Sequence, residues 1–151
     1  MEPHGIVNII NFIRAVEPRD PNLDLIEPIR RQIELIRAHR LPATWLIQYD
    51  ALHDPRIVDL LKAELDDQQE IGLWFEVVQP LVEAVGLTWR GRFPWDWHSH
   101  VGFAIGYPPD ERRRMADRFV ADFKAVWGRP PRSVGSWLLD APLLAHLADL
   151  H

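Results

Sequence analysis

The sequence predicts an α/β fold in which parallel strands alternate with helices. Short β-branched apolar runs alternate along the chain with segments whose apolar residues recur at helical spacing. The strand candidates are almost continuously apolar, which is typical of a parallel sheet covered by helices. No linker, repeat or low-complexity tract divides the 151 residues. We therefore expect a single domain over residues 1–151.

The number of strands limits the kind of α/β fold. About four strands are expected, whereas a closed (β/α) barrel normally needs about 250 residues. The chain is predicted to be either a small open α/β domain or a partial, truncated (β/α) barrel without its C-terminal strands. A truncated barrel would leave a strand edge exposed, which favours a homo-oligomer that pairs through that edge.

The first strand and helix are predicted near the N-terminus. Residues 5–12 form a short β-branched run typical of a buried strand. Apolar residues then recur at helical spacing over residues 25–36. Asp24 and Glu27 have the spacing of a capping box, and Pro28 is compatible with the first turn of that helix.

The middle of the chain repeats this alternation. Residues 43–49 predict the second strand, and Asp54 followed by Pro55 predicts the N-cap and first residue of the next helix. Residues 70–75 predict the third strand, and residues 79–85 a short helix.

The C-terminal part has the same pattern. Residues 109–127 predict a long helix with one apolar stripe, and residues 132–138 predict the fourth strand. Asp140 is expected to cap a last helix that directs Leu143, Leu144 and Leu147 inward.

Composition excludes several classes of partner. The net charge of −5 provides no basic field for nucleic acid or an anionic membrane. The chain has no cysteine, which excludes disulfides and thiolate metal sites. No apolar run has the length of a membrane span, and no signal peptide is evident. We expect a cytoplasmic protein by default.

Residues 89–100, WRGRFPWDWHSH, are called here the tryptophan-rich segment. They hold three of the seven tryptophans, two arginines, an aspartate and two histidines, without a helical period. Flat rings beside polar groups suit a sugar, whose C–H faces stack on aromatic rings while its hydroxyls need polar partners. The alternative is a loop whose rings plug one end of a barrel.

Three short segments together resemble the polysaccharide deacetylase-like family of divergent (β/α) barrels. Residues 41–46 (LPATWL) are similar to its second strand, and residues 69–72 (QEIG) to the entry of its third. Residues 128–135 (GRPPRSVG) resemble the run that enters the next strand. The resemblance implies a carbohydrate substrate and an active site at the C-terminal ends of the strands.

The sequence departs from this family at the metal site. Enzymes of the family hold a divalent metal with an aspartate after the first strand and two histidines after the third. Trp74 and Val78 occupy the positions of those histidines, and no aspartate pair follows the first strand. Neither side chain can bind a metal, so the usual metal-activated water is not expected there.

Glu76 is the leading candidate for catalysis. It follows the third strand and is preceded by two aromatic residues, Trp74 and Phe75. Desolvation among aromatic rings would raise the pKa of Glu76, which suits a general acid or base. The alternative is a solvent-facing glutamate at the start of a helix.

Asp96, His98 and His100 alternate along the tryptophan-rich segment. In an extended chain their side chains would share one face, and they are ligand types for a divalent metal with open positions. His98 and His100 are therefore candidate metal ligands, although the cofactor stays unknown. Asp96 is a second catalytic candidate. Polar contact with a ligand and a structural role are the alternatives.

The remaining candidates would bind substrate. Arg90 could clamp a carboxylate or phosphate or pair with a local acid. Asp140 could complete a two-carboxylate glycosidase site with Glu76 or Asp96, or simply cap the last helix. The aromatic side chains expected to form a sugar platform are Trp74, Trp95, Trp97 and Trp137.

These observations favour a carbohydrate-active, deacetylase-like hydrolase domain without the usual Asp-His-His metal triad. Its reaction would be hydrolysis of an N-acetyl or a glycosidic bond. The alternative is a non-catalytic carbohydrate-binding domain, or an incomplete barrel that supplies part of a pocket in a larger protein or a dimer.

Overall fold

The computed structural model describes residues 7–150, which contain a four-stranded parallel sheet. Neighbouring strands follow one another in chain order, and every pair is parallel. The strands are β1 (Ile10–Ile13), β2 (Ala43–Ile47), β3 (Gln69–Trp74) and β4 (Val134–Gly135). The sheet curls into half of a barrel, which confirms the predicted partial (β/α) barrel.

Helices connect the strands. The described residues contain α1 (Ile26–Ala38), α2 (Tyr49–Leu52), α3 (Pro55–Glu64), α4 (Gln79–Ala84), α5 (Ser99–Gly102), α6 (Pro109–Trp127) and α7 (Ala141–Asp149), with a 3₁₀ turn at Ala104–Gly106. Asp54 and Asp140 cap α3 and α7 as predicted, because their carboxylates accept hydrogen bonds from the backbone N–H groups of Arg56 and Leu143. Asp24 accepts from the N–H of Glu27 in the first turn of α1.

One face of the sheet forms the core together with the helices. Side chains alternate along a strand, so residues two apart share a face. The buried residues of that face form one cluster with the apolar stripes of the helices. They are Ile13, Trp45, Ile47, Ile71, Leu73 and Phe75. α1 buries Ile29, Ile33 and Ile36 in this cluster, and α6 buries Phe119 and Phe123.

The opposite face is the inner, concave side of the half-barrel. Phe12, Leu46 and Trp74 point to this side and lie outside the core cluster. Phe12 remains 43% exposed, so helices do not cover this face as they cover the other. A Cβ on Gly72 would lie 2.3 Å from the backbone oxygen of Ser133, and glycine therefore lets β4 approach β3 closely.

The predicted element types agree with the structure, while several boundaries differ. The helix predicted at residues 109–127 matches α6, but the fourth strand shrinks from residues 132–138 to two residues. Tyr49, expected to end the second strand, begins α2. Residues 5 and 6 of the first predicted strand, and residues 1–6 and 151 of the predicted domain, lie outside the described residues.

None of the helices within residues 7–150 combines the length and the apolar character that crossing a bilayer requires.

Candidate functional site

Three polar side chains follow the C-terminal ends of the first three strands. Arg14 follows β1, Gln48 follows β2, and Glu76 comes two residues after β3. Continued strand alternation places all three toward the inner side of the half-barrel. A hydrogen bond of 2.9 Å from Nε2 of Gln48 to Oε2 of Glu76 joins two of them. This end of a parallel barrel is where enzymes of the fold hold their catalytic groups.

Glu76 is buried, with 1% of its surface exposed. Its Oε2 accepts from Gln48 and from the indole N–H of Trp95, at 3.0 Å, while its Oε1 has no hydrogen-bond partner among the described residues. Burial raises the pKa of Glu76 above its ordinary value, although nearby Trp74, Trp95 and Arg14 oppose the rise. The group therefore keeps its proton to a higher pH than an ordinary glutamate does.

Asp50 is a second buried acid next to this centre. Its carboxylate accepts from the backbone N–H groups of Ala15 and Ala51, at 3.1 and 2.8 Å, which ties the segment after β1 to α2. Burial raises the pKa of Asp50 to about 6, against these hydrogen bonds and the charge of Arg14. Asp50 in turn raises the pKa of Glu76. The two acids are thus coupled electrostatically.

The tryptophan-rich segment closes over the strand ends. Besides the bond from Trp95 to Glu76, the backbone N–H of Gln79 donates to the carbonyl of Pro94 at 2.8 Å. The Arg14 guanidinium lies 5.0 Å from the centre of the Trp95 ring, within the range of a cation–π contact. The prediction that Glu76 and this segment share one region of the molecule is confirmed by these contacts.

Asp96 lies in the same segment but has a different environment. Its carboxylate accepts from the backbone N–H groups of Arg92 and His98, from Nε of Arg92 and from Nδ1 of His98 at 2.5 Å. Burial alone would raise the pKa of Asp96, but the hydrogen bonds from His98 and Arg92 outweigh it and lower the pKa below its ordinary value. Asp96 is therefore an ionised group that holds the loop in shape.

The extended conformation on which the alternation of Asp96, His98 and His100 depends ends at His98, because a helical turn begins at Ser99. His98 is the N-cap of α5, so His100 lies within a helical turn. Asp96 is buried, whereas His98 has a side chain 46% exposed. Over residues 7–150, no group of three or more His, Cys, Asp or Glu side chains is arranged to hold a metal ion. The structure gives the predicted metal site of His98 and His100 no support.

Two predicted substrate contacts have structural roles. Arg90 donates to the carbonyls of His100 and Gly106, and its guanidinium lies 4.1 Å from the centre of the Tyr107 ring. Through these contacts Arg90 links the start of the tryptophan-rich segment to its end at His100 and to the turn that follows. Asp140 caps α7 and forms an ion pair of 2.9 Å with Arg112. Helix capping, the alternative for Asp140, is what the structure contains, whereas Arg90 contacts backbone carbonyls and a ring rather than the local acid that was its alternative.

The predicted aromatic platform divides into two groups. Trp74 and Trp137 pack edge to face on the inner side of the sheet, with ring centres 5.4 Å apart, and Phe12 stacks on Trp74 at 4.9 Å. Trp137 is the outermost of these, with 66% of its surface exposed. Trp95 and Trp97 form the second group, with ring centres 6.1 Å apart. Glu76 is close to one member of each group, because both Trp74 and Trp95 affect its pKa.

An open pocket of about 420 Å³ lies beside the second aromatic group. Its walls come from the segment after β1, including Ala15 and Glu17, and from Phe93 and Pro94 of the tryptophan-rich segment. The lining is mostly apolar, as in typical sites for small molecules. The pocket volume lies within the range of roughly 300–1,000 Å³ that such sites have.

The sequence alone predicted no functional role for Arg14, Gln48 or Asp50. All three follow the ends of β1 and β2 as the structure has them, and the ends of neighbouring parallel strands meet at one edge of a sheet. That rule could have grouped them with Glu76. The boundaries of the strands, which were uncertain by a few residues, concealed which positions face inward.

The fold and this geometry define the class of the protein: a parallel (β/α) half-barrel with a buried acidic centre at the C-terminal ends of its strands. Comparison of the chain with protein-family models, with curated proteins and with solved structures finds no match. The resemblance to polysaccharide deacetylases therefore stays a prediction.

Proposed function

We propose that this chain is a carbohydrate-active hydrolase domain in which Glu76 is the catalytic acid/base. The observation that carries the proposal is the environment of one carboxyl group. Glu76 is buried at the C-terminal end of a parallel strand, has a raised pKa, and retains one oxygen without a partner among the described residues. Strongly perturbed acids in such positions are candidates for proton transfer.

The two oxygens of Glu76 suit two different tasks. Oε2 is held by Gln48 and Trp95, which fix the plane of the carboxyl group. Oε1 is the oxygen from which a proton could pass to a leaving group, because it accepts no well-formed hydrogen bond among the described residues, although the Trp74 indole is close enough to the carboxyl group to lower its pKa. A raised pKa keeps the carboxyl group protonated closer to neutral pH, as a general acid requires. Such an acid would serve the cleavage of a glycosidic or an N-acetyl bond.

The aromatic surroundings favour a sugar as the substrate. Trp95, which packs with Trp97, and Trp74, which packs with Trp137, are both close to Glu76. Sugar rings present C–H faces that stack on indoles, and their hydroxyls can use the polar groups at the strand ends. The pocket of about 420 Å³ offers a place for such a ring beside the segment.

Access to Glu76 requires a movement of the tryptophan-rich segment. With 1% of Glu76 and 7% of Trp95 exposed, no substrate atom can reach Oε1 in the closed arrangement. Residues 91–98 have no regular secondary structure, so they can shift without breaking a helix or strand. We expect this segment to act as a lid that opens for substrate.

The test is a panel of N-acetylated and glycosidic oligosaccharides assayed with the wild type, Glu76→Gln and Glu83→Gln. Glu83 is an exposed glutamate on α4, so its amide variant removes the same charge away from the site. We expect hydrolysis by the wild type and the Glu83 variant, and a loss of roughly 100-fold or more for Glu76→Gln. Equal turnover by Glu76→Gln and the wild type would remove Glu76 from the mechanism.

A second candidate function is a non-catalytic sugar-binding domain, or half of a barrel that another half completes. The open inner face favours it, since Phe12 and Trp137 are exposed there and β1 and β4 have no further partner strand among the described residues. Equilibrium sedimentation distinguishes a sugar-binding domain from half of a barrel that a second copy completes. A dimer that dissociates on Phe12→Ser and Trp137→Ser substitution would support completion by a second copy, and a monomer with saturable glycan binding would support the binding domain.

A further inference from the structure

Three arginine side chains lie on the rings of the tryptophan-rich segment. Arg14 stacks on Trp95, while Arg19 and Arg92 both lie over Trp97, at 5.1 and 5.7 Å from its ring centre. This clustering is notable in a chain with a net charge of −5. It concentrates positive charge at the mouth of the pocket beside the segment.

Arg19 is the arginine with unused donors. Its guanidinium makes no hydrogen bond within residues 7–150, and its nearest carboxylate oxygen, Oε1 of Glu17, is 3.8 Å away. Glu17 already accepts from Arg14 and from the backbone N–H of Arg19. The side chain of Arg19 is 66% exposed, so its remaining donors face solvent.

The guanidinium group of Arg92 already uses some of its donors within the tryptophan-rich segment. Its Nε contacts Asp96 at 3.3 Å, and one terminal nitrogen lies 3.3 Å from Nδ1 of His98. The buried Asp96 is occupied by its own four donors, and Asp20, the other acid near the pocket, accepts from the N–H of Asn22. These acids therefore do not take up the in-plane donors of Arg19.

Stacking on an indole leaves the edge of a guanidinium available. A guanidinium that lies over an aromatic ring can keep N–H donors free for the two oxygens of a carboxylate or phosphate. The guanidinium groups of Arg19 and Arg92 both lie within cation–π distance of the Trp97 ring, so both are near the same indole. The arrangement is prepared for an anionic group.

We infer that Arg19 and Arg92, held on Trp97, form a subsite for the anionic group of an acidic sugar. The inference rests on the proposed function, since it assumes that the adjoining pocket accepts a sugar ring. The pocket includes Phe93 and Glu17, which are neighbours of these arginines in the chain or in space. The shared ligand chemistry is an oxyanion on a sugar, either a carboxylate or a phosphate.

The experiment titrates three probes into the ¹⁵N-labelled protein: glucuronate, glucose 6-phosphate and glucose. The indole N–H signals of the tryptophans report binding, and a Trp97→Phe sample assigns the Trp97 signal. Arg19→Ala is the test variant, and Arg31→Ala on α1 is the control, because its side chain is similarly exposed at 69%. Arg92→Lys keeps the charge but removes the planar fork.

We expect an anionic probe to move the Trp97 signal and to bind at least about tenfold more tightly than glucose. Arg19→Ala should remove most of this preference, Arg92→Lys should reduce it, and Arg31→Ala should leave it unchanged. Tighter binding of glucuronate would identify a carboxylate as the group that the subsite binds. Tighter binding of glucose 6-phosphate would identify a phosphate. Raising the salt concentration should weaken the binding of the anionic probes alone.

Equal binding of glucose and both anionic probes would overturn the subsite while leaving the proposed function standing. No binding of either anionic probe, or anion binding that Arg19→Ala does not change, would also overturn it. Arg19-dependent anion binding together with an inactive oligosaccharide panel would support the subsite and contradict the proposed function. The two proposals therefore fail in different ways.

Discussion

The acid at the end of β3 and the acid in the tryptophan-rich segment are almost equally buried, yet their pKa values are shifted in opposite directions. Glu76 is 1% exposed and has a raised pKa, whereas Asp96 is 2% exposed and has a lowered pKa. Sequence reasoning named both as catalytic candidates. Their surroundings separate them.

The difference lies in the number of hydrogen-bond donors around each carboxylate. Asp96 receives four hydrogen bonds from Arg92 and His98 across both of its oxygens. Glu76 receives two, both on Oε2. Burial disfavours the charged form of any acid, and hydrogen-bond donors around the carboxylate stabilise that form again. A buried acid with all its oxygens occupied is therefore structural, and one with an unoccupied oxygen is a candidate for chemistry.

The largest expected effect is the loss of the Asp96 charge. Asp96→Asn removes one acceptor and the charge that orders Arg92 and His98, so we expect the free energy of unfolding to fall by about 2–3 kcal/mol. Urea denaturation measures this, with Asp110→Asn at the exposed start of α6 as the control. A change as small as that of the control would contradict the structural role of Asp96.

The next effect is a dependence of stability on pH that comes from Asp50. Its pKa is about 6 in the folded chain and 3.8 ordinarily, so between these values the folded chain holds a proton that the unfolded chain has released. Rising pH then favours unfolding, and this group should lower the free energy of unfolding by about 2–3 kcal/mol between pH 4 and pH 7.

Asp50→Asn should remove this dependence. Its free energy of unfolding, measured by urea denaturation at several pH values, should decline less from pH 4 to pH 7 than that of the wild type. Asp59→Asn on the exposed side of α3 is the control. Parallel curves for the wild type and Asp50→Asn would show that Asp50 ionises normally in the folded chain.

A smaller effect is expected for Glu76→Gln. The amide oxygen can still accept from Gln48 and Trp95, and the substitution removes a carboxyl group whose charged form burial disfavours. We expect the free energy of unfolding at pH 7 to change by less than about 1 kcal/mol, or to rise. Thermal unfolding measures it beside Asp96→Asn. A loss as large as that of Asp96→Asn would indicate that Glu76 is a structural ion.

The smallest effect on stability is expected for Gln48→Met. Gln48 donates to Glu76 but has a buried Oε1 without a partner among the described residues, so losing its amide should change the free energy of unfolding by less than about 1 kcal/mol. The pKa of Glu76 should rise further, because one donor to its charged form is lost. An unchanged Glu76 titration would show that this hydrogen bond does not hold the carboxylate in solution.

Much of the fold could be predicted because local patterns carry it. The alternation of strands and helices, the long helix at α6 and the caps Asp54 and Asp140 follow from residue spacing and from chemistry at helix ends. The same patterns left two outcomes open, a small open domain or a partial barrel, because the curl of the sheet depends on long-range contacts such as the approach of Ser133 to Gly72.

The candidate site was predicted in part for a similar reason. The position of Glu76 after an apolar strand indicated a buried acid near aromatic rings, and the contact with Trp95 agrees. The helical turn that begins at Ser99 was not predicted, because the segment has no helical period, and it breaks the alternation on which the metal site of His98 and His100 depended. Gln48 was missed because an amide gives no distinctive signal in one sequence.

The most direct measurement of the central claim is a ¹³C NMR titration of the side-chain carboxyl groups. We predict that Glu76 titrates above its ordinary value of 4.5 and that Asp96 titrates below its ordinary value of 3.8 in the same sample. If Glu76 instead titrates at or below 4.5, its carboxyl group is an ordinary ionised side chain, and the proposed acid/base role is contradicted.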